Sequence, residues 1–126
     1  MSNPVTALVV ETNYLIASAI EMPLAQGGFE VVIAGDDEAA REALTSRTID
    51  IAIIDFRLQH GGPDGLVARL EARSVPYVFC TAASSEEVSE HFPGARVVEK
   101  PFGDDALLSL VMELVREPSA QPQARA

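Results

Sequence analysis

A single cysteine, Cys80, rules out any disulfide within the chain. It closes the apolar run Tyr77-Val78-Phe79-Cys80, which marks it as a buried, inert thiol. Basic residues are scarce: nine Lys and Arg stand against nineteen Asp and Glu, for a net charge of −10. Such a surface repels nucleic-acid phosphate and suits a protein that meets other proteins or holds a cation. No apolar run approaches the ~20 residues needed to span a bilayer. Met1-Ser2-Asn3-Pro4 lacks the basic start and apolar centre of a secretory signal. A cytoplasmic location away from membranes is the resulting expectation. The chain also has no Gly-x-Gly-x-x-Gly turn for a dinucleotide. Glu11-Thr12-Asn13-Tyr14 is the wrong chemistry for the Ser/Thr/Gly-rich phosphate loop of a flavin carrier. No internal repeat occurs.

What is present fits one domain of ordinary globular composition, with 126 residues, 48% hydrophobic and 22% charged. Five short apolar runs recur: Ala7-Leu8-Val9-Val10, Val31-Val32-Ile33-Ala34, Ile51-Ala52-Ile53-Ile54, Tyr77-Val78-Phe79-Cys80 and Arg96-Val97-Val98. Runs rich in β-branched residues without strict alternation read as strands buried on both faces, as in parallel sheets.

Helical spacing and helix punctuation fill the gaps between these runs. The first helix is expected from about Asn13 to Gln26, with Leu15, Ile16, Ala19, Ile20 and Leu24 inward and Gly27-Gly28 as its stop. Pro23 inside it removes a hydrogen bond, costs about 3 kcal/mol and predicts a kink. The second starts at Asp36 or Asp37 and buries Ala40, Ala43 and Leu44; the third begins near Asp64-Gly65 and buries Leu66, Val67 and Leu70. The fourth opens on the capping-box pattern Ser84-x-x-Glu87 and offers only Val88 and Phe92 to a core, which predicts a short, weakly held helix. The fifth, Asp104 to Arg116, carries Leu107, Leu108, Val111, Met112 and Val115 in a broad stripe. Residues 117–126 are rich in Pro, Gln and Ala and are expected to be a disordered tail. The whole reads as an α/β fold, a doubly wound five-stranded parallel sheet with helices on both faces.

Ligands of such folds bind outside the carboxyl ends of the strands. There the sequence sets Glu11 and Thr12 after the first strand, Asp55 at the third, Thr81 after the fourth and Lys100-Pro101 after the fifth. Each alone reads as a helix-start charge, a loop cap or a solvated rim group. Together, two carboxylates, a hydroxyl and an ammonium on one sheet edge form a polar pocket that stability does not require. Two carboxylates suit Mg²⁺, which prefers oxygen ligands and commonly shares them with a phosphate.

The segments Val9-Val10-Glu11, Ile51-Ala52-Ile53-Ile54-Asp55, Val78-Phe79-Cys80-Thr81-Ala82 and Glu99-Lys100-Pro101-Phe102 carry a resemblance to the receiver domain of response regulators, over about residues 5–116. The resemblance implies a flavodoxin-like strand order 2-1-3-4-5 and a receiver domain spanning 1–116. It is nearest to the stand-alone receivers common in alphaproteobacteria. It further implies that Asp55 takes a phosphoryl group from a phosphohistidine of a histidine kinase or phosphotransfer protein. Mg²⁺ would lie between Asp55, the Arg57 carbonyl and Glu11, with Thr12 as a further candidate ligand. Lys100 would pair with the acyl phosphate and Thr81 would bond it. Output would be protein contact through the face of helix four, strand five and helix five, with a second copy of the chain among the candidate partners. The chain is not expected to be an enzyme: phosphatases of the haloacid dehalogenase type need a second Asp two residues on, where Arg57 stands.

Three departures from the receiver pattern carry consequences. Thr12 replaces the second acid after strand one, so metal affinity should fall. Val97 occupies the switch position three residues before Lys100, where an aromatic is usual. The loop Gln59-His60-Gly61-Gly62-Pro63-Asp64-Gly65 is longer by two residues, and its glycines suggest a mobile flap. A degenerate receiver acting as a phosphorylation-independent interaction module is the alternative that Thr12 and Val97 support. His60 and His91 lack partners at metal-ligand spacing and read as surface histidines.

Overall fold

The five apolar runs become β1 (Thr6–Val10), β2 (Glu30–Ala34), β3 (Ile51–Ile54), β4 (Tyr77–Thr81) and β5 (Arg96–Glu99). Between and after them lie α1 (Tyr14–Gln26), α2 (Asp37–Ser46), α3 (Asp64–Ala72), α4 (Ser85–His91) and α5 (Asp104–Arg116). The computed structural model describes residues 5–57, 63–82, 84–100 and 103–116. The expected tail, most of the loop with His60, and Pro101-Phe102 lie outside the described residues. No helix among the described residues is long and apolar enough to cross a membrane.

All strands pair in parallel, because each helix returns the chain to the end from which it set out. Their order is β2-β1-β3-β4-β5, so the winding reverses between β1 and β3. Alternate residues of the inner strands feed two separate cores. Ala7, Val9, Ile51, Ile53, Val78 and Cys80 pack on the side covered by α1 and α5. Leu8, Val10, Ala52, Ile54, Tyr77 and Phe79 pack on the side covered by α2, α3 and α4. Burial on both faces is why these strands read as unbroken apolar runs.

Local signals explain the helix limits. Asn13 caps α1 by accepting from the amides of Leu15 and Ile16, Asp36 caps α2 at Ala39, and Ser84 caps α4 at Glu87. Gly28, at φ +96°, takes the left-handed conformation that turns the chain from α1 toward β2. The expected cores of α2 and α3 are all buried, and α4 is as short as its composition implies, with Val88 buried.

Two helix faces differ from expectation. In α1, Leu15 is 77% exposed and Ala19 is exposed, while Ala17, Ile20, Pro23 and Leu24 are buried. Apolar residues nearly encircle this helix, so periodicity alone could not choose among adjacent faces. Pro23 sits one turn from the end, and α1 continues through it to Gln26. The Ala19 carbonyl that loses its bond belongs to an exposed residue, where water can satisfy it. In α5, Leu114 is buried and Met112 is 40% exposed, so the stripe exchanges one expected position for another.

Candidate functional site

Strand register brings the polar residues to one level. Val10 pairs with Ile54, so Glu11 and Asp55 leave adjacent strands side by side. Their amides extend the ladder, Glu11 N donating to the Ala34 carbonyl and Asp55 N to the Val10 carbonyl. On the far side Thr81 pairs with Glu99, and Lys100 N donates to the Thr81 carbonyl at 2.8 Å. Four residues from four strand ends thus converge without any helix supplying one.

Glu11 is 4% exposed and both its oxygens are engaged. Oε1 accepts from Lys100 Nζ at 3.0 Å and Oε2 from Asn13 N at 3.1 Å. Since Asn13 also caps α1, the turn after β1 is pinned to the pocket floor. Asp55 Oδ1 accepts from Arg57 N at 3.0 Å, and Oδ2 lies 3.9 Å from Lys100 Nζ. The Asp55 side chain keeps 15% of its surface, enough for a reactant to reach it. Thr81 is fully buried at the end of β4. Glu11, Asp55 and Lys100 therefore meet through their side chains, and Thr81 joins them through the backbone of Lys100.

Two predicted positions stand apart. Thr12 is exposed beside the pocket. Val97 is half-buried against the α2–α3–α4 core and takes no part in the polar cluster. The donor set matches Mg²⁺ in its chemistry. Glu11 and Asp55 offer oxygen ligands only, with no thiolate or imidazole, as that ion prefers. Among the described residues no three Asp, Glu, His or Cys side chains gather to hold a metal, so the set fits the ion in kind with a small charge.

Sequence reasoning missed how this pocket is connected to α4. Arg57 donates through one guanidinium nitrogen to both oxygens of Glu87, at 2.9 and 3.0 Å. The Ser84–Glu87 capping signal thus forms its first half, while the Glu87 carboxylate serves Arg57. Glu99 Oε2 accepts from Ser85 N at 2.8 Å and Ser85 Oγ at 2.7 Å, and these two bonds hold the Glu99 carboxyl below its ordinary value. Phe56, next to Asp55, meets His91 and Phe92 edge-on, with ring centroids 5.8 and 6.2 Å apart. His91 remains exposed, as a surface histidine should, but its ring packs on Phe56. None of these pairings has a sequence signal, since all join residues about thirty apart or belong to separate elements.

Cys80 lies under the same pocket, on the α1–α5 side of the sheet. Burial pushes its thiol up to about 12, opposed by the Lys100 charge and reinforced by Glu11 and Asp55. It is buried, as its place in an apolar run indicates.

A family model of the response regulator receiver domain matches residues 7–112. The Sensory transduction protein RegX3 of Mycolicibacterium smegmatis is 27% identical over an alignment of 115 residues that covers 88% of this chain and 50% of that protein. The chain thus spans about half the length of the curated relative it matches. Among solved structures, a response regulator receiver protein from Sinorhizobium medicae WSM419 is similar with a TM-score of 0.80 at 25% identity, over 92% of this chain and 98% of that one. The signal receiver domain of an HD domain-containing protein from Pseudomonas fluorescens Pf-5 gives 0.82 at 19% identity, over 94% and 100%, a likeness of fold.

Proposed function

This chain belongs to the response regulator receiver domain family, and on that footing we propose that Asp55 accepts a phosphoryl group from a phosphohistidine in a two-component relay. Receiver domains work with histidine kinases or phosphotransfer proteins, and the donor here is of that class. One observation carries the reading: a single ammonium, Lys100 Nζ, reaches both carboxylates, Glu11 at 3.0 Å and Asp55 at 3.9 Å, at the carboxyl edge of the sheet.

A carboxylate oxygen of Asp55 attacks phosphorus as the P–N bond of phosphohistidine breaks. The bonding pair returns to the imidazole nitrogen, and an aspartyl phosphate remains. Such transfers need positioning and charge neutralisation more than covalent machinery. The Arg57 amide orients Asp55 through Oδ1. Lys100 neutralises charge at the same point, and Thr81, at the adjacent strand end, would bond a phosphoryl oxygen. Receiver domains hold Mg²⁺ at this acidic pocket. Glu11, Asp55 and the Arg57 carbonyl would hold it here, with Thr12 as a neutral donor, and the ion would supply further positive charge. Lacking the acid at position 12, this pocket holds the ion more weakly than one with three carboxylates.

Output passes through protein contact on the face formed by α4, β5 and α5. A second reading, a receiver that binds partners without being phosphorylated, draws on Thr12 and Val97. Intact mass after incubation with acetyl phosphate, with and without Mg²⁺, separates the two. One added phosphoryl group, dependent on Mg²⁺ and absent from Asp55→Asn, supports the acceptor. No adduct from acetyl phosphate or from phosphohistidine donors supports the second reading.

A further inference from the structure

Polar ties hold α4 more than its core does. Val88 is the buried residue of its seven, while Glu99 fixes Ser85 and Arg57 grips Glu87. Arg57 is the tie nearest the acceptor. Its amide is bonded to Asp55 Oδ1 at 3.0 Å, so the root of its side chain is anchored beside the reacting carboxylate. Its tip rests on a surface carboxylate instead, and the side chains of Arg57 and Glu87 are 56% and 45% exposed.

Charge makes that resting place temporary. The pocket contains Glu11, Asp55 and Lys100, and Lys100 is already bonded to Glu11. A phosphoryl group brings about −1.5 to −2 charge and three acceptor oxygens. Thr12 adds no charge of its own. The guanidinium fork of Arg57 matches phosphate as well as carboxylate, and a dianion in a half-buried pocket outcompetes an exposed monoanion. We infer that Arg57 is a phosphoryl clamp parked on α4: it exchanges Glu87 for the oxygens of the aspartyl phosphate and so frees the first turn of α4. This gives the site a route to α4 that needs no aromatic at position 97. The inference rests on the acceptor reading of Asp55.

The test uses the full chain and Arg57→Ala, Arg57→Lys and Glu87→Gln, each with acetyl phosphate and Mg²⁺. Intact mass follows the adduct, and amide hydrogen exchange follows residues 85–91. Phosphorylated wild type is expected to exchange several-fold faster in α4. Glu87→Gln shows that faster exchange without phosphate and forms adduct at least as quickly as wild type. Arg57→Ala exchanges fast in both states and forms adduct roughly 10²-fold more slowly, the lower end of the loss for removing one charge-stabilising donor. Arg57→Lys restores much of the adduct rate, but its ammonium restores less of the α4 protection. Adduct in wild type with unchanged α4 exchange, or wild-type adduct kinetics in Arg57→Ala, overturns the clamp and leaves the acceptor standing. Absence of adduct in wild type from acetyl phosphate and from phosphohistidine donors alike overturns both.

Discussion

Lys100 lies closer to Glu11 than to Asp55, at 3.0 Å against 3.9 Å, and the closer pair is the more deeply buried, with side chains 17% and 3% exposed. The ammonium is therefore a fixed part of the pocket floor. Glu11 holds it in place beside Asp55. Two roles fall on one side chain, structural toward Glu11 and electrostatic toward Asp55.

Removing Lys100 should consequently cost stability as well as activity. Lys100→Met leaves the Glu11 carboxylate buried with only the Asn13 amide as partner, a loss of about 3 kcal/mol for a broken buried pair. Glu11→Gln with Lys100→Met should recover most of that loss, since no charge is then stranded. Urea unfolding of wild type, single and double variants reads the difference. Equal destabilisation in the single and double variants would show that the pair is not coupled.

The proposed cation site makes position 12 a direct test. Thr12→Asp should tighten Mg²⁺ binding by about tenfold or more, because a neutral oxygen becomes a third carboxylate. Thr12 is exposed, so stability without metal should move by no more than about 0.5 kcal/mol. Calorimetric titration with Mg²⁺ measures the first effect and urea unfolding the second. An unchanged affinity would mean that this side chain does not reach the ion.

The Cys80 thiol is pushed up to about 12 in the folded chain, against an ordinary value of 9.0. The folded state therefore binds the proton more tightly than the unfolded one. No stability depends on this below the unfolded value, and stability falls as pH rises from about 9 toward 12, by up to ~1.4 kcal/mol per pH unit. Thiol labelling at pH 8 should likewise follow unfolding and be negligible in the native protein. Rapid native labelling would contradict the burial, and Cys80→Ser or Cys80→Ala should remove the alkaline slope that belongs to this group.

Glu99 makes the opposite case. Its carboxyl is held down by the Ser85 hydroxyl and amide, so its contribution is present above the ordinary value of 4.5 and is lost as pH falls through the lowered folded value. The first turn of α4 should loosen in acid over that window. Nuclear magnetic resonance of the Ser85 amide reports it directly, and Glu99→Gln should abolish the pH dependence of that resonance. A Ser85 amide that titrates identically in Glu99→Gln would place the cause elsewhere.

Much of the architecture was legible because the helix and strand signals are local. Caps at Asp36 and Ser84, the Gly27-Gly28 stop and the apolar runs each depend on neighbours within a few residues. The face of α1 was not legible, because Leu15, Ile16, Ala17, Ala19, Ile20, Met22 and Leu24 leave it apolar almost all round. Contact with α5 and the sheet selected the stripe through Ala17, Ile20 and Leu24 and left Leu15 exposed.

The sequence by itself determined the parallel α/β sheet and the set of groups at its edge, because strand ends in such a fold are adjacent whatever the details of packing. Tertiary structure alone decided which groups pair: Lys100 with Glu11 ahead of Asp55, Arg57 with Glu87, and Ser85 with Glu99. Those choices turn on differences of about an ångström in the reach of flexible charged side chains. Residue spacing sets no such distance; strand register and the seating of α4 do.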